Sequence, residues 1–198
     1  MKHLSLLFIA TVCVLTACNN NKKPGITVTS EDGKTTTTIQ AGDLAQAAEV
    51  SQQKTEELKK LSPYTLDQMK ALLPEELAGA KRSKFSANTA MGTAYAEGEY
   101  AINDSTQVEL KIYDCAGEAG AGFYGMQYLA TMNFQSESDD EYTKTIDFKG
   151  GKAVEQLNKR NNHSTLTYLS GERLLVILEG RNTGMDMLKQ IAGSLNIK

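Results

Sequence analysis

Between Gln107 and Tyr113 the chain alternates without a slip: Val108, Leu110 and Ile112 are apolar, and Gln107, Glu109 and Lys111 are polar. Successive side chains of a strand point to opposite faces, so this pattern calls for a strand with one buried and one solvated face, as antiparallel sheets allow. Leu174 to Leu178 reads LLVIL, an unbroken apolar run that predicts a central, covered strand. Further strands are expected at 83–88, 92–102, 142–149, 164–170 and 173–179, with a short one at 152–156. Asn103-Asp104, Gly150-Gly151, Asn161-Asn162 and Ser170-Gly171 punctuate them as hairpin-like breaks.

Helical spacing interrupts the strands twice. Phe123, Met126, Ala130 and Phe134 recur over 117–134, and Met187, Leu188 and Ile191 over 184–194, with Thr183 as the expected cap. Upstream, 43–61 is rich in Ala, Gln, Glu, Lys and Leu, with Asp43 placed to cap it. Its apolar face, Leu44, Ala47, Ala48, Leu58 and Leu61, is interrupted by Ser51, Gln52, Lys54 and Thr55, which predicts a mobile stalk or partner-dependent helix. Ser62-Pro63 ends it, and Thr65 to Gln68 then has capping-box spacing ahead of Met69, Leu72 and Leu73. The expected fold class is α+β, an antiparallel sheet with helices packed on one face.

The N-terminus carries an address. Lys2 and His3 precede the apolar run Leu4 to Leu15, which falls short of the ~20 residues that span a bilayer. Leu15-Thr16-Ala17-Cys18 then places small residues before a cysteine. The segment resembles a bacterial lipoprotein signal peptide with its lipobox, the alternative being an ordinary cleaved signal near a cysteine. The resemblance implies diacylglycerol on the Cys18 sulfur and cleavage before it; two or three acyl chains anchor a protein effectively permanently. The organisation read from this is 1–17 signal peptide, 18–42 lipidated flexible tether, 43–61 polar stalk helix and 62–198 α+β domain. Within the tether, 26–29 and 35–39 flank the turn signal Asp32-Gly33, so a marginal ribbon or disorder is expected.

The whole chain has 21 basic and 24 acidic side chains; loss of Lys2 with the signal makes the balance -4. Acidity argues against nucleic acid, whose binding draws on phosphate neutralisation. Cys13 leaves with the signal and Cys18 takes lipid, so Cys115 is the one thiol left. With no basic neighbour in sequence to activate it, burial as a small hydrophobe is the favoured reading over reactivity.

Five features invite chemistry. Gly120 to Gly125 spells GxGxxG, but the preceding strand alternates, Ala116 to Ala119 intervene, and no βαβ unit surrounds it; close helix packing is the expected role. His163, the one histidine after the signal, lies in a turn without the partners that zinc or a nucleophilic serine requires. Ser51 to Lys54 matches SxxK but lacks SDN and KTG companions. Glu137, Asp139, Asp140 and Glu141 form an acidic loop without EF-hand spacing. Tyr95, Tyr100, Tyr124 and Tyr128 are expected at core edges more than on a ligand platform. No catalytic, cofactor-binding or metal residue is assigned, and lipidation is assigned to Cys18.

The element order over 62–198, with LLPEELAG at 72–79 and LEG at 178–180, resembles the PsbP/LpqN-like α/β sandwich of small exported lipoproteins and photosystem accessory proteins. That resemblance is one of topology and implies no catalytic motif. The expected function is a lipid-anchored cell-envelope protein with a non-catalytic binding or interaction domain. A carrier or sensor of an apolar or amphiphilic ligand is the alternative, and a cryptic hydrolase a third. Expected partners are the membrane, through the anchor, and an envelope protein or small ligand. Lysines rather than acids after Cys18, and Asn19 where the inner-membrane sorting rule has Asp, favour an outer-membrane position facing the periplasm.

Overall fold

The alternating and unbroken patterns both become strands at the centre of one antiparallel sheet. The computed structural model describes residues 25–29, 36–40, 44–89, 92–130 and 134–197. Among them, in chain order, are β1 (Gly25–Thr29), β2 (Thr36–Gln40), α1 (Leu44–Lys59), α2 (Leu66–Ala71), β3 (Glu76–Leu77), β4 (Ala80–Asn88), β5 (Ala94–Ala101) and β6 (Gln107–Asp114). Then follow α3 (Gly117–Ala130), β7 (Phe134–Glu137), β8 (Glu141–Phe148), β9 (Gly151–Asn158), β10 (His163–Ser170), β11 (Leu174–Arg181) and α4 (Met185–Ser194). The strand order is β1-β2-β7-β8-β9-β10-β11-β6-β5-β4-β3. Long β6 and β11 pair along eight residues, from Leu174 opposite Asp114 to Arg181 opposite Gln107.

The larger core lies on one face, called inner below. Val108, Leu110 and Ile112 of β6, Leu174, Val176 and Leu178 of β11, and Leu166 and Tyr168 of β10 pack there against Met69 of α2 and Leu188, Ile191 and Ala192 of α4. Each large apolar side chain buried there stabilises the fold by about 1.5–3 kcal/mol. α2 starts as its sequence predicts, with the Thr65 side chain accepting from Gln68 N–H and the Gln68 side chain accepting from Thr65 N–H. For α4 the expected cap is corrected. Gly184 is the N-cap, and Thr183 is buried with its hydroxyl directed at the Arg181 carbonyl, 3.2 Å away.

The expectation of helices on one face is also corrected: they cover both. Leu58 of α1, Ala121 and Tyr124 of α3, Cys115 and Leu175 form a second core, with Tyr113, Leu169 and Ile177 packed against it. These residues alternate with the inner-face set, so α1 and α3 lie on the opposite, outer face. The physical reason is in LLVIL itself, because a strand apolar at successive positions must be covered on both sides.

The helix expected as a stalk is therefore packed. Leu58 is fully buried and Ser51 nearly so, and the Thr55 hydroxyl donates to the Ser51 carbonyl at 2.7 Å. Helix α3 is described as far as Ala130, and Phe134 begins β7 instead of closing the helical face expected over 117–134. Of that face, the side chains of Met126 and Ala130 lie outside the described ones. β7 pairs with β2, from Thr36 opposite Glu137 to Ile39 opposite Phe134. The ribbon expected to be marginal alone thus continues the sheet through a neighbour that helical spacing had hidden.

A buried ion pair ties the parts together. Asp114, at the end of β6, accepts from Arg173 Nε at 2.8 Å and Nη2 at 2.6 Å, and from the N–H groups of Tyr64 and Ala116. Arg173 also donates to the Ser62 carbonyl and lies over the Tyr64 ring, 4.0 Å from its centre. A second buried carboxylate, Glu155 on β9, sits between Lys144 of β8 and Lys189 of α4 at 2.7 and 2.6 Å. Burial works to raise its pKa, and the two lysines prevail and lower it.

Candidate functional site

Among the described residues, the outer face of the sheet beyond the cover of α1 and α3 is open and charged. Register places Lys84, Glu99, Glu109, Glu179, Thr165 and Gln156 in one row across β4, β5, β6, β11, β10 and β9. Three carboxylates directly opposite one another on adjacent strands would repel. Lys111, one row along β6, answers this by reaching Glu109 at 3.2 Å and Glu179 at 2.8 Å. Burial acts to lower the Lys111 pKa, and its bonds to Glu179 and Glu109 overcome that and raise it. Lys84 and Gln107 attend Glu99 at 3.1 and 3.2 Å.

Four residues of this row, Lys84, Glu99, Glu109 and Glu179, floor a shallow cleft of about 310 Å³ that Gln107, His163 and Arg181 also line. Among the described residues, no hydroxyl or thiol lines it. His163 Nε2 lies 3.9 Å from Glu179 Oε2, too far for a hydrogen bond. Alternating donors and acceptors equip this face to hold a polar surface, whereas nucleophilic chemistry would need an activated nucleophile beside its base.

The other residues singled out by sequence do not converge on this cleft. Cys18 lies outside the described residues. Cys115 is fully buried in the second core. Burial first, and the neighbouring Asp114 charge second, push its thiol up to about 12. It follows β6 at the end opposite Gln107, which shares a row with His163 through Arg181. Seven residues of strand, about 23 Å, separate those two ends. Iodoacetamide is expected to leave Cys115 unmodified in the native chain and to label it fully in denaturant, read by mass spectrometry; rapid native labelling would contradict its burial.

The GxGxxG glycines lie inside α3, where Gly122 and Gly125 have N–H groups committed to helical bonding and not free to cradle a phosphate. Of the glycines expected to serve close packing, Gly120 does so against the sheet and Gly122 does not. A Cβ at Gly122 meets nothing within 4 Å, whereas one at Gly120 would lie 2.7 Å from the Cys115 carbonyl carbon and 2.8 Å from the Asp114 oxygen. A Cβ at Gly125 would lie 3.2 Å from the Thr55 hydroxyl oxygen of α1.

Ser51 faces α3, and Lys54 is bound to Glu57 and Glu172 at 3.2 and 3.1 Å. Burial works to lower the Lys54 pKa, but Glu172 and Glu57 raise it, so this lysine is unsuited to act as a base. Tyr95 stacks on Tyr113 of the outer face, while Tyr100 is buried on the inner one, donating to the Pro74 carbonyl at 2.7 Å. Tyr124 and Tyr128 stack on each other along α3. In the acidic loop, Asp140 pairs with Arg160 and the Asp139 carbonyl accepts from Lys159. Among the described residues, no group of three or more His, Cys, Asp or Glu is placed to hold a metal ion.

The row of glutamates was missed by sequence reasoning because Glu99, Glu109 and Glu179 are far apart in the chain. Only strand register brings them together. The chain matches no protein-family model, no curated protein and no solved structure.

Proposed function

We propose that this chain is a lipid-anchored cell-envelope protein whose α+β domain is a non-catalytic interaction module working close to the membrane surface. The observation that carries the reading is the open outer face, where Glu99, Glu109 and Glu179 are presented with Lys84, Lys111 and Arg181 across a broad, shallow surface. Such a face suits a polar partner surface better than a small ligand, which calls for an enclosing pocket. The space between α3 and the sheet, where a carried apolar ligand would sit, is occupied by Leu58, Cys115, Ala121, Tyr124 and Leu175. A hydrolase pairing Cys115 with His163 would have to bring together opposite ends of a strand.

The anchor rests on Leu15-Thr16-Ala17-Cys18. Because β1 begins at Gly25, only Asn19 to Pro24 separate Cys18 from the sheet. A chain of that length spans about 25 Å at most. An acylated Cys18 would hold the β1 edge of the sheet close to the bilayer.

Replacing Cys18 by Ala is expected to move the protein from the detergent phase to the aqueous phase on phase separation, and full retention in detergent would refute the anchor. For the module, Lys111→Glu leaves Glu109 and Glu179 unanswered. It should abolish co-purification of an envelope component from cross-linked membranes while the circular dichroism spectrum is kept. A folded variant that retrieves the same component would remove the outer face from the proposal.

A further inference from the structure

The two edges of the sheet differ. At one lies β1, next to the proposed anchor; at the other, β3 covers only the start of β4, with Glu76 opposite Lys81 and Leu77 opposite Ala80. One more contact, from the Arg82 N–H to the Glu75 carbonyl, closes that corner. From Ser83 to Ala87, β4 is paired with β5 alone among the described residues. An edge strand presents every second backbone N–H and C=O outward, a template for another strand.

The side chains along this open stretch state what kind of strand fits. β4 reads AKRSKFSAN, with Lys81, Arg82 and Lys84 and no acidic residue, in a chain whose formal charge is -3. Lys84, opposite Glu99, and Ser86, opposite Glu97, belong to the outer face; Phe85, opposite Gly98, and Ala87, opposite Ala96, belong to the inner one. Phe85 is 54% exposed although apolar, with the Arg82 guanidinium over its ring at 5.0 Å. A register shift falls between Arg82 and Lys84. Edge lysines and a bulge of this kind discourage two like edges from pairing, since each would set cations beside cations. The same charges favour a strand of opposite sign.

We propose that Ser83–Ala87 of β4 receives an extended acidic peptide segment of a partner by strand addition, with its acids beside Lys84 on the outer face and its apolar residues beside Phe85. This deepens the interaction-module reading and rests on it, since Lys84 also lines the outer cleft. Main-chain bonds would supply the pairing, and the alternation of acid and apolar side chains the selection. With strands about 4.8 Å apart, nine steps place β4 about 43 Å across the sheet from β1. The receiving edge is thus the one remote from the proposed anchor.

Hydrogen exchange of the full chain in detergent tests this with two defined probes. One is an eight-residue peptide alternating Glu with Val and Thr; the other carries Lys in place of each Glu. At low salt the acidic peptide is expected to slow exchange over 83–87 by at least about tenfold, weakening as salt screens the charges, with the lysine peptide inert. Lys81→Glu combined with Lys84→Glu should reverse the preference; if that variant fails to fold, the two peptides on the native chain still decide. Equal protection by both peptides, or none at millimolar peptide, overturns the proposal. Protection that rises with protein concentration without peptide also overturns it and names a second copy as the occupant. Because the readout needs no membrane, its failure is distinct from failure of the Cys18 anchor.

Discussion

Replacing Asp114 by Ala should destabilise the protein by about 3–5 kcal/mol, the range for removing one partner of a buried ion pair. The carboxylate is fully buried and accepts two bonds from Arg173, one from Tyr64 N–H and one from Ala116 N–H. Its loss strands a largely buried guanidinium and two backbone donors together, and frees the 62–64 segment from the sheet. Urea unfolding should show the loss as a lower midpoint at unchanged slope. Glu172→Ala is the contrast: it removes only an exposed partner of Lys54 and should cost at most about 1 kcal/mol. If Asp114→Ala costs no more than Glu172→Ala, the ion pair is not what joins α2 to the end of β6.

The second large effect separates two glycines of one motif. Gly120→Ala would drive a methyl against the Cys115 and Asp114 backbone, which cannot swing aside as a flexible side chain can. Overpacking of this kind costs about 1–3 kcal/mol, occasionally more. Gly122→Ala meets open space and should stabilise α3 by about 0.5–1 kcal/mol through helix propensity. The opposite signs make the comparison sharp in thermal melts of the two variants. Two equal, small changes would mean that α3 can shift on the sheet, contrary to the close approach at Gly120.

Strand positions were the most legible part of this chain. Val108, Leu110 and Ile112 sit on the inner face as their alternation requires, and Leu174 to Leu178 is central. Thr65 and Gln68 form the capping box their spacing predicts. These features depend on residues a few positions apart, where backbone geometry alone fixes which side chains share a face. Legibility failed where a partner supplied the missing term. The 43–61 segment has a thin apolar face and reads as a stalk, yet α3 covers Leu58 and Ser51. Phe134 fits a helical spacing, but pairing with Ile39 and its neighbours makes it a strand residue.

The candidate site lies at the far end of that scale. Sequence by itself determined the antiparallel strands of an α+β domain and glycines placed for close packing, because each is written in local composition or spacing. It offered the glycines of Gly120 to Gly125 alike for that packing, while the fold sets Gly120 against the sheet and leaves Gly122 in open space, since only the path of α3 over Cys115 says which Cβ has room. The tertiary structure alone decided that helices cover both faces and that Glu99, Glu109 and Glu179 stand in one row around Lys111. Among the described residues it also left β4 open beyond β3. Register, helix placement and the end of a sheet are long-range properties, set by which strands meet, and residue spacing within one segment carries no information about them.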